Sequence, residues 1–340
     1  MGWWDKVWHD KAQDWVSGWL NEGQVPAGTP LGEIEPDTAY LNIFLRSARI
    51  VNVRIGLKRF YGVVHSYMSV PHRSQTAQFN AVTTPSELKN VDSSNLDRVV
   101  QTRYRLVGPV PYAGGDVDME MGLFSIAEAD LAAPYLSLLE SLSKAAGVSF
   151  ISTALPFAAP ILEGVKLLTG SEKDCLEIGI SETQPRLQQG YRVVMRAPKN
   201  QVSLSELRMD PSDCRLLDKN GRSIADYPYM VFEVRAEARR SDWFEIPELG
   251  KAYARVQEAV RENRRRDADA AVDMFQRIAK TCNDLTTGDA ELIANKVKSM
   301  YGQAAPKAGT REGVETARGG GTPTPARLLP DLKELRLYSD

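Results

Sequence analysis

Apolar and polar residues alternate along much of the first 240 residues, which is typical of strands. The clearest case is the stretch from Asp116 to Ile126, where Val117, Met119, Met121 and Leu123 are separated by polar residues or glycine. Further runs suit strands at residues 40–53, 59–70, 78–84, 175–181, 191–197, 214–217 and 229–236. From Glu248 to Tyr301 the apolar period becomes three to four residues and predicts three helices. The pattern therefore predicts an α+β protein.

The same pattern divides the chain into segments of different character. Residues 127–170 interrupt the strands with a helical insert, and residues 302–327 are rich in Ala, Gly, Thr and Pro. We predict a tryptophan-rich helix at 1–23, a linker at 24–36, a β-rich domain at 37–245, a helical domain at 246–302, a flexible linker at 303–327 and a leucine-rich tail at 328–340.

The amino end carries an unusual amount of indole, with five of the six tryptophans in the first 19 residues. At ~100° per residue, Trp4, Trp8, Trp15 and Trp19 fall within a stripe of roughly 60°, so the pattern predicts an amphipathic helix. At ~200 Å² per indole the stripe offers on the order of 800 Å², more than a soluble monomer leaves bare in one patch. The stripe requires a cover: the protein's own body, a partner or second copy, or a membrane interface.

Composition and charge narrow the function classes. A net charge of -2 and a pI near 6.1 argue against a nucleic-acid binder, which usually has a basic face. The three cysteines, Cys175, Cys214 and Cys282, are odd in number and widely spaced, which favours a reducing compartment. The first residues do not form a secretory signal. We expect a cytoplasmic protein, with association at a membrane surface as the open alternative.

A second apolar stretch, residues 145–162, contains no formal charge and includes Phe150 and Phe157. Its length approaches that of a membrane span, but Pro156 and Pro160 interrupt it. A packed hairpin is the first interpretation, and a partner surface or conditional membrane insertion remain open.

Three carboxylates alternate along one predicted strand and so share a face: Asp116, Asp118 and Glu120. Oxygen ligands of this kind suit a hard divalent cation, although a solvated polar face has the same pattern. The sequence contains no Walker A, Rossmann, G-x-S-x-G or H-E-x-x-H motif. We therefore predict no catalytic residue and no cofactor, with a divalent cation as the alternative.

One basic cluster stands out in the helical region, with acidic residues among its members. A solvated, ion-paired helix face is the first interpretation, and contact with a phosphate or an acidic partner is the alternative. Its residues are Arg261, Arg264, Arg265 and Arg266.

Four stretches within residues 37–245 carry a family resemblance: 83–85 (Thr-Thr-Pro), 108–115 (Gly-Pro-Val-Pro-Tyr-Ala-Gly-Gly), 121–124 (Met-Gly-Leu-Phe) and 227–232 (Tyr-Pro-Tyr-Met-Val-Phe). In these the chain resembles C2-like β-sandwich proteins of uncharacterised bacterial conflict and antiviral-defence systems. The resemblance implies an antiparallel β-sandwich with a helical insert, acting as an interaction or effector module. Asp116 and Asp118 match the place of calcium-loop aspartates in C2 domains, but a second aspartate cluster is missing.

Taken together, these features predict a non-enzymatic interaction or effector protein. The tryptophan helix, released on its linker, would engage a protein partner, a second copy or a membrane. Two alternatives remain: a metal-dependent enzyme using the Asp116, Asp118 and Glu120 face, and a structural subunit of a larger assembly that docks through the tail at 328–340.

Overall fold

A computed structural model describes residues 15–51, 54–55, 58–72, 75–82, 99–127, 176–198, 200–304, 328–335 and 337–338. The chain divides into two compact units, Met1–Ala238 and Arg239–Asp340. The sequence predicts a helical domain from residue 246, whereas the second unit begins at Arg239 and includes the turn Trp243–Glu245.

The described part of the first unit is built from antiparallel strands. These are β1 (Trp15–Trp19), β2 (Gly32–Glu33), β3 (Tyr40–Arg49), β4 (Arg54–Ile55), β5 (Lys58–His72), β6 (Gln75–Val82), β7 (Val99–Pro111), β8 (Val117–Ala127), β9 (Leu176–Gln184), β10 (Gln188–Arg196), β11 (Arg208–Met209), β12 (Leu216–Leu217) and β13 (Tyr229–Glu237).

The strands form two larger sheets and one small one. The first has the order β1-β10-β13-β3-β7, with β2 also paired to β10. The second has the order β4-β5-β8-β9, with β6 also paired to β5. Strands β11 and β12 pair with each other, and Leu217 of β12 also forms an isolated bridge with Ser223. Each pairing is antiparallel.

The two larger sheets contribute side chains to one hydrophobic core. Leu41, Ile43 and Leu45 from β3 belong to the same buried cluster as Met119 and Met121 from β8. The alternation that predicted β8 arises here, since Val117, Met119 and Met121 are buried while Asp118 is exposed.

The opposite face of the first sheet is also covered. Tyr191, Val193 and Met195 of β10 pack with Leu207 and Leu216 from the segment between β10 and β13. Because both faces of β10 are covered, residues 190–195 are buried without interruption. This explains why the central strands read as continuous apolar runs.

The second unit contains the three helices that the periodicity predicted. They are α1 (Pro247–Arg261), α2 (Arg265–Thr281) and α3 (Thr287–Ala304). Val256, Phe275 and Ile293 are fully buried, one from each helix. The amide of Asp289 donates to Thr286 Oγ1 at 3.3 Å, which caps the start of α3. The described residues thus show an α+β fold with antiparallel sheets and three helices.

The leucine-rich tail is packed against its own unit. Residues 332–334 form a 3-10 turn capped by Asp331 and Glu334. Leu329, Leu332 and Leu335 are each at most 9% exposed, whereas Leu328 is 70% exposed.

Two predictions at the amino end are wrong where the structure describes it. Residues 15–19 form strand β1 rather than the end of a helix, because all five pair with β10. Residues 24–36 are not a free linker, since Gln24 and Ile34 are buried and β2 pairs with β10. Trp4, Trp8 and most of the predicted insert at 127–170 lie outside the described residues.

Candidate functional site

The tryptophan-rich amino end joins the fold through strand β1, at one edge of the first sheet. Trp15 pairs with Arg196 and Trp19 with Arg192 of β10. Residues in register on neighbouring antiparallel strands share a face, so Ser17 and Trp19 lie on the same face as Arg192. The edge site is defined here as Ser17 and Trp19 of β1, Arg192 of β10, and Glu182 and Gln184 of β9.

Apolar contacts hold β1 on both of its faces. Val16 and Leu20 are buried in the cluster that covers the outer face of the first sheet. Trp19 is half-buried and packs against the main core from the other side. Between them, a Cβ on Gly18 would lie 2.5 Å from Leu204 Cδ2, so the absence of a side chain lets Leu204 cover the strand.

Arg192 is the centre of the edge site. Its Nη2 donates to Glu182 Oε2 at 2.6 Å and to Ser17 Oγ at 3.2 Å, and its Nη1 donates to Gln184 Oε1 at 3.0 Å. Since Glu182 and Gln184 belong to the second sheet, one guanidinium links both sheets to β1.

The charge of Arg192 is largely removed from water. Its side chain is 7% exposed, while that of Glu182 is 25% exposed. Burial lowers the pKa of Arg192, and the charge of Glu182 and its hydrogen bond oppose that effect. The guanidinium carbon also lies 5.7 Å from the centroid of the Trp19 ring, within cation–π range.

The chain after β1 is fixed by side-chain hydrogen bonds. Gln24 Nε2 donates to the carbonyl oxygens of Leu204 and Leu207, at 2.6 Å each. Asn21 and Gln24 also form a capping box around the short 3-10 turn Glu22–Gln24. Detachment of residues 1–23 as one piece would break the pairing of β1 with β10 and the hydrogen bond between Ser17 and Arg192, so only the residues before Trp15 stay candidates for release.

The predicted tryptophan stripe is split by the structure. Trp15 and Trp19 both lie in β1, where alternate residues share a face. Trp4 and Trp8 lie outside the described residues, so their place in a helix stays a prediction. Phe150 and Phe157, with the whole stretch 145–162, also lie outside them. Among the described helices, none is long and apolar enough to cross a membrane.

The acidic face lies on strand β8 and just before it. Asp116 and Asp118 are exposed, Glu120 is half-buried, and Thr183 Oγ1 donates to Asp118 Oδ1 at 2.7 Å. Burial raises the pKa of Tyr67, and the charges of Glu120 and Asp118 raise it further. The three carboxylates are not among the described groups that bring three possible metal ligands together. Side chains two residues apart on a strand are roughly 6–7 Å apart, too far to share one ion without adjustment.

Three other possible metal ligands lie close together. They are Glu248, Cys282 and Asp284, and their ligand atoms lie within 4.8 Å of one another. Burial raises the pKa of the Cys282 thiol, and its hydrogen bond with Glu248 raises it further. A metal requires the thiolate, so this environment favours a protonated cysteine that donates to a carboxylate. The trio therefore has the features of a hydrogen-bonded group in which Cys282 and Asp284 are buried and Glu248 is exposed.

The predicted basic cluster lies at the turn between α1 and α2 and is ion-paired. Arg264 contacts Glu262 and lies 2.7 Å from Asp267, while Arg265 lies 4.0 Å from Asp269. The hydrogen bond with Glu262 raises the pKa of Arg264. Arg261 and Arg266 lie at the same turn and are exposed. These contacts are the ones expected of a solvated helix face.

The edge site was not found from the sequence, although a signal for it is present. Arg192 interrupts the apolar run from Tyr191 to Met195, and a charge in a continuously buried strand requires a partner. The sequence does not identify the partner, Glu182, because residues 182–184 have the polar composition that is common at the ends of strands.

Comparison of the chain with protein-family models, curated proteins and solved structures found no match. The candidate site therefore rests on its own geometry.

Proposed function

We propose that this is a non-enzymatic interaction or effector protein whose amino-terminal residues 1–14 engage a protein partner, a second copy of the chain or a membrane surface. The observation that carries the proposal is the position of the indoles. Trp3, Trp4 and Trp8 lead directly into edge strand β1, whose end at Trp19 is bound to a buried arginine. The tryptophan-rich segment is thus joined directly to a fixed strand of the fold.

Fewer indoles are available for docking than the sequence suggested. Trp15 and Trp19 belong to β1, which leaves Trp4 and Trp8 of the predicted stripe. Those two offer on the order of 400 Å², and at roughly 25 cal/mol per Å² their burial is worth up to ~10 kcal/mol before entropic costs. This upper bound is of the same order as the entropic cost of association, so burial of both indoles is needed for docking.

The proposed setting comes from the resemblance to C2-like proteins of bacterial conflict and antiviral-defence systems. An effector there would respond to a trigger by docking its amino-terminal segment. The C2-like β-sandwich is part of this proposal, and the two sheets that share one core support it.

The test compares the full chain with a chain that starts at Trp15. This boundary matters because removing residues 1–23 would also remove β1 and expose Arg192. We expect the full chain to float with vesicles or to self-associate in light scattering, and the shortened chain to do neither. Equal behaviour of the two in both assays would contradict the proposal.

A substitution pair sharpens the test without changing chain length. Replacing Trp4 and Trp8 by alanine removes the predicted stripe, whereas Trp3→Ala removes an indole that lies outside it. We expect the double variant to behave like the chain starting at Trp15, and Trp3→Ala to behave like the full chain. The reverse order would contradict the helical stripe.

A further inference from the structure

The carboxyl-terminal tail is a short peptide bound to the surface of the helical unit. Tyr253 Oη donates to the carbonyl of Pro330 at 2.8 Å, and Gln257 Nε2 donates to the same carbonyl at 3.2 Å. Gln257 also reaches the carbonyl of Leu329 at 3.4 Å. Recognition of main-chain carbonyls by side-chain donors is a common way for proteins to hold extended peptides.

Three leucines provide the apolar part of this contact. Leu329, Leu332 and Leu335 are buried and recur at every third residue. Leu332 begins the 3-10 turn and Leu335 follows it, so with three residues per turn these two lie on one side, while Leu329 precedes the turn. The turn Trp243–Glu245 lies against the tail's own turn, and Arg239 stacks on Tyr338 with its guanidinium carbon 4.6 Å from the ring centroid. We name Trp243, Tyr253 and Gln257 the tail surface.

A long stretch of sequence separates the tail from the helices that it contacts. Residues 305–327 connect α3 to Leu328 and are rich in Gly, Pro, Thr and Ala. At ~3.3–3.6 Å per residue such a connection spans up to about 80 Å. Neither the tail's hydrogen bonds nor its buried leucines involve this connection, so the same contacts can form between two chains.

We propose that the tail surface is a peptide-recognition site for the leucine tail of a second copy of this chain as well as for its own. In dilute solution the chain's own tail occupies the surface, because attachment to the same chain gives it an effective concentration of the order of mM. Exchange between copies becomes favourable where their local concentration approaches that value. Clustering of copies through the amino end would create such a condition, but the proposal does not depend on it.

The first experiment measures recognition in trans with a synthetic peptide of residues 327–338. The protein is a chain ending at Ala304, which keeps α1–α3 and lacks the tail. We expect one-to-one binding by fluorescence anisotropy with a dissociation constant in the micromolar range. Full-length chain should bind the same peptide at least ~10-fold more weakly, because its own tail competes.

Matched peptides identify the contacts. Replacing Leu332 and Leu335 by alanine should weaken binding more than ~100-fold, because each substitution removes a buried side chain. Replacing the exposed Leu328 by alanine should leave binding within about twofold. If all three peptides bind equally, or none binds a folded chain at 1 mM peptide, the proposal is overturned.

The second experiment asks whether whole copies exchange tails. The chain ending at Ala304 is mixed with full-length chain carrying Tyr253→Phe and Gln257→Ala, which weakens the hold on its own tail. We expect a one-to-one complex by sedimentation velocity, lost when the full-length chain also carries Leu332→Ala and Leu335→Ala. Separate monomers at tenfold the peptide dissociation constant would overturn the exchange.

A second variant covers the case in which the chain ending at Ala304 does not fold. Should the chain ending at Ala304 fail to unfold cooperatively, the full-length chain with alanine at Leu329, Leu332 and Leu335 replaces it. That variant retains every residue of the connection while vacating the tail surface. It must then bind the peptide, and failure to do so would overturn the proposal in the same way.

Discussion

The link between Arg192 and Glu182 allows a quantitative test of how firmly the amino end is held. Replacing Glu182 by alanine leaves a guanidinium whose side chain is only 7% exposed without its carboxylate partner. Breaking a buried pair from one side costs about 3–5 kcal/mol, and the partial exposure of Glu182 places this case near the lower end. We therefore expect a loss of about 2–3 kcal/mol in the free energy of unfolding.

The opposite substitution should cost less. Arg192→Met removes the buried charge itself and retains an apolar stem against Trp19, and the Glu182 side chain left behind is 25% exposed, although its Oε1 is buried. The lost charge-assisted hydrogen bonds are offset by the removed desolvation cost, which leaves about 1–2 kcal/mol. The double variant should resemble Arg192→Met alone, because the substitutions share one interaction.

Urea unfolding of the four proteins provides the measurement. A second ion pair serves as a control, since Arg186 and Glu33 lie 3.6 Å apart with side chains 77% and 60% exposed. Glu33→Ala should change stability by less than about 0.5 kcal/mol. The reasoning is refuted if Arg192→Met costs more than Glu182→Ala, or if Glu182→Ala is as mild as Glu33→Ala.

Two further predictions concern glycine positions in the backbone and the stability of the protein at alkaline pH. Gly108→Ala should lower the free energy of unfolding by more than about 2 kcal/mol, because φ is +97° and a Cβ would lie 2.1 Å from the Leu41 carbonyl oxygen. Gly221→Ala should cost only about 1 kcal/mol, because φ is +76° but no atom lies within 4 Å of the added Cβ. Urea unfolding measures both values. Burial raises the pKa of Tyr253 to about 12 from 10, so the stability it provides is complete below pH 10 and is lost as pH rises toward 12. Unfolding midpoints between pH 8 and pH 11 should therefore fall more steeply for the natural chain than for Tyr253→Phe, and equal slopes would contradict the assignment.

Long periodic elements could be predicted from the sequence. Helices α1, α2 and α3 contain enough turns for the apolar repeat to exclude other interpretations, and β8 shows an unambiguous alternation. Both kinds of element bury one well-defined face, so local pattern and tertiary packing agree.

Strand β1 could not be predicted because five residues do not distinguish the two periods. Trp15 and Trp19 share a face in a helix at spacing i, i+4, and they share a face in a strand at even spacing. The strand is selected by β10, a partner about 175 residues away in the sequence, which no local pattern reveals. Tryptophan is also enriched in strands, so its presence did not favour the helix.

Strand β7 was missed for a related reason. Its end, Gly108-Pro109-Val110-Pro111, has the composition of a turn, yet Val110 and Pro111 pair with Leu41 and Tyr40 of β3. β7 lies at the edge of the first sheet, so no further described strand needs the amide donor that proline lacks. Position within a sheet, which decides whether proline is tolerated, is not a local property.

The role of residues 1–14 can be tested most directly by fluorine NMR of the chain labelled with 5-fluorotryptophan. The resonances that disappear in a chain starting at Trp15 belong to Trp3, Trp4 and Trp8. The account predicts that these signals shift and broaden with rising protein concentration or on addition of vesicles, while those of Trp19 and Trp243 keep their positions. Narrow, water-exposed signals from all three residues that stay unchanged under both conditions would contradict it.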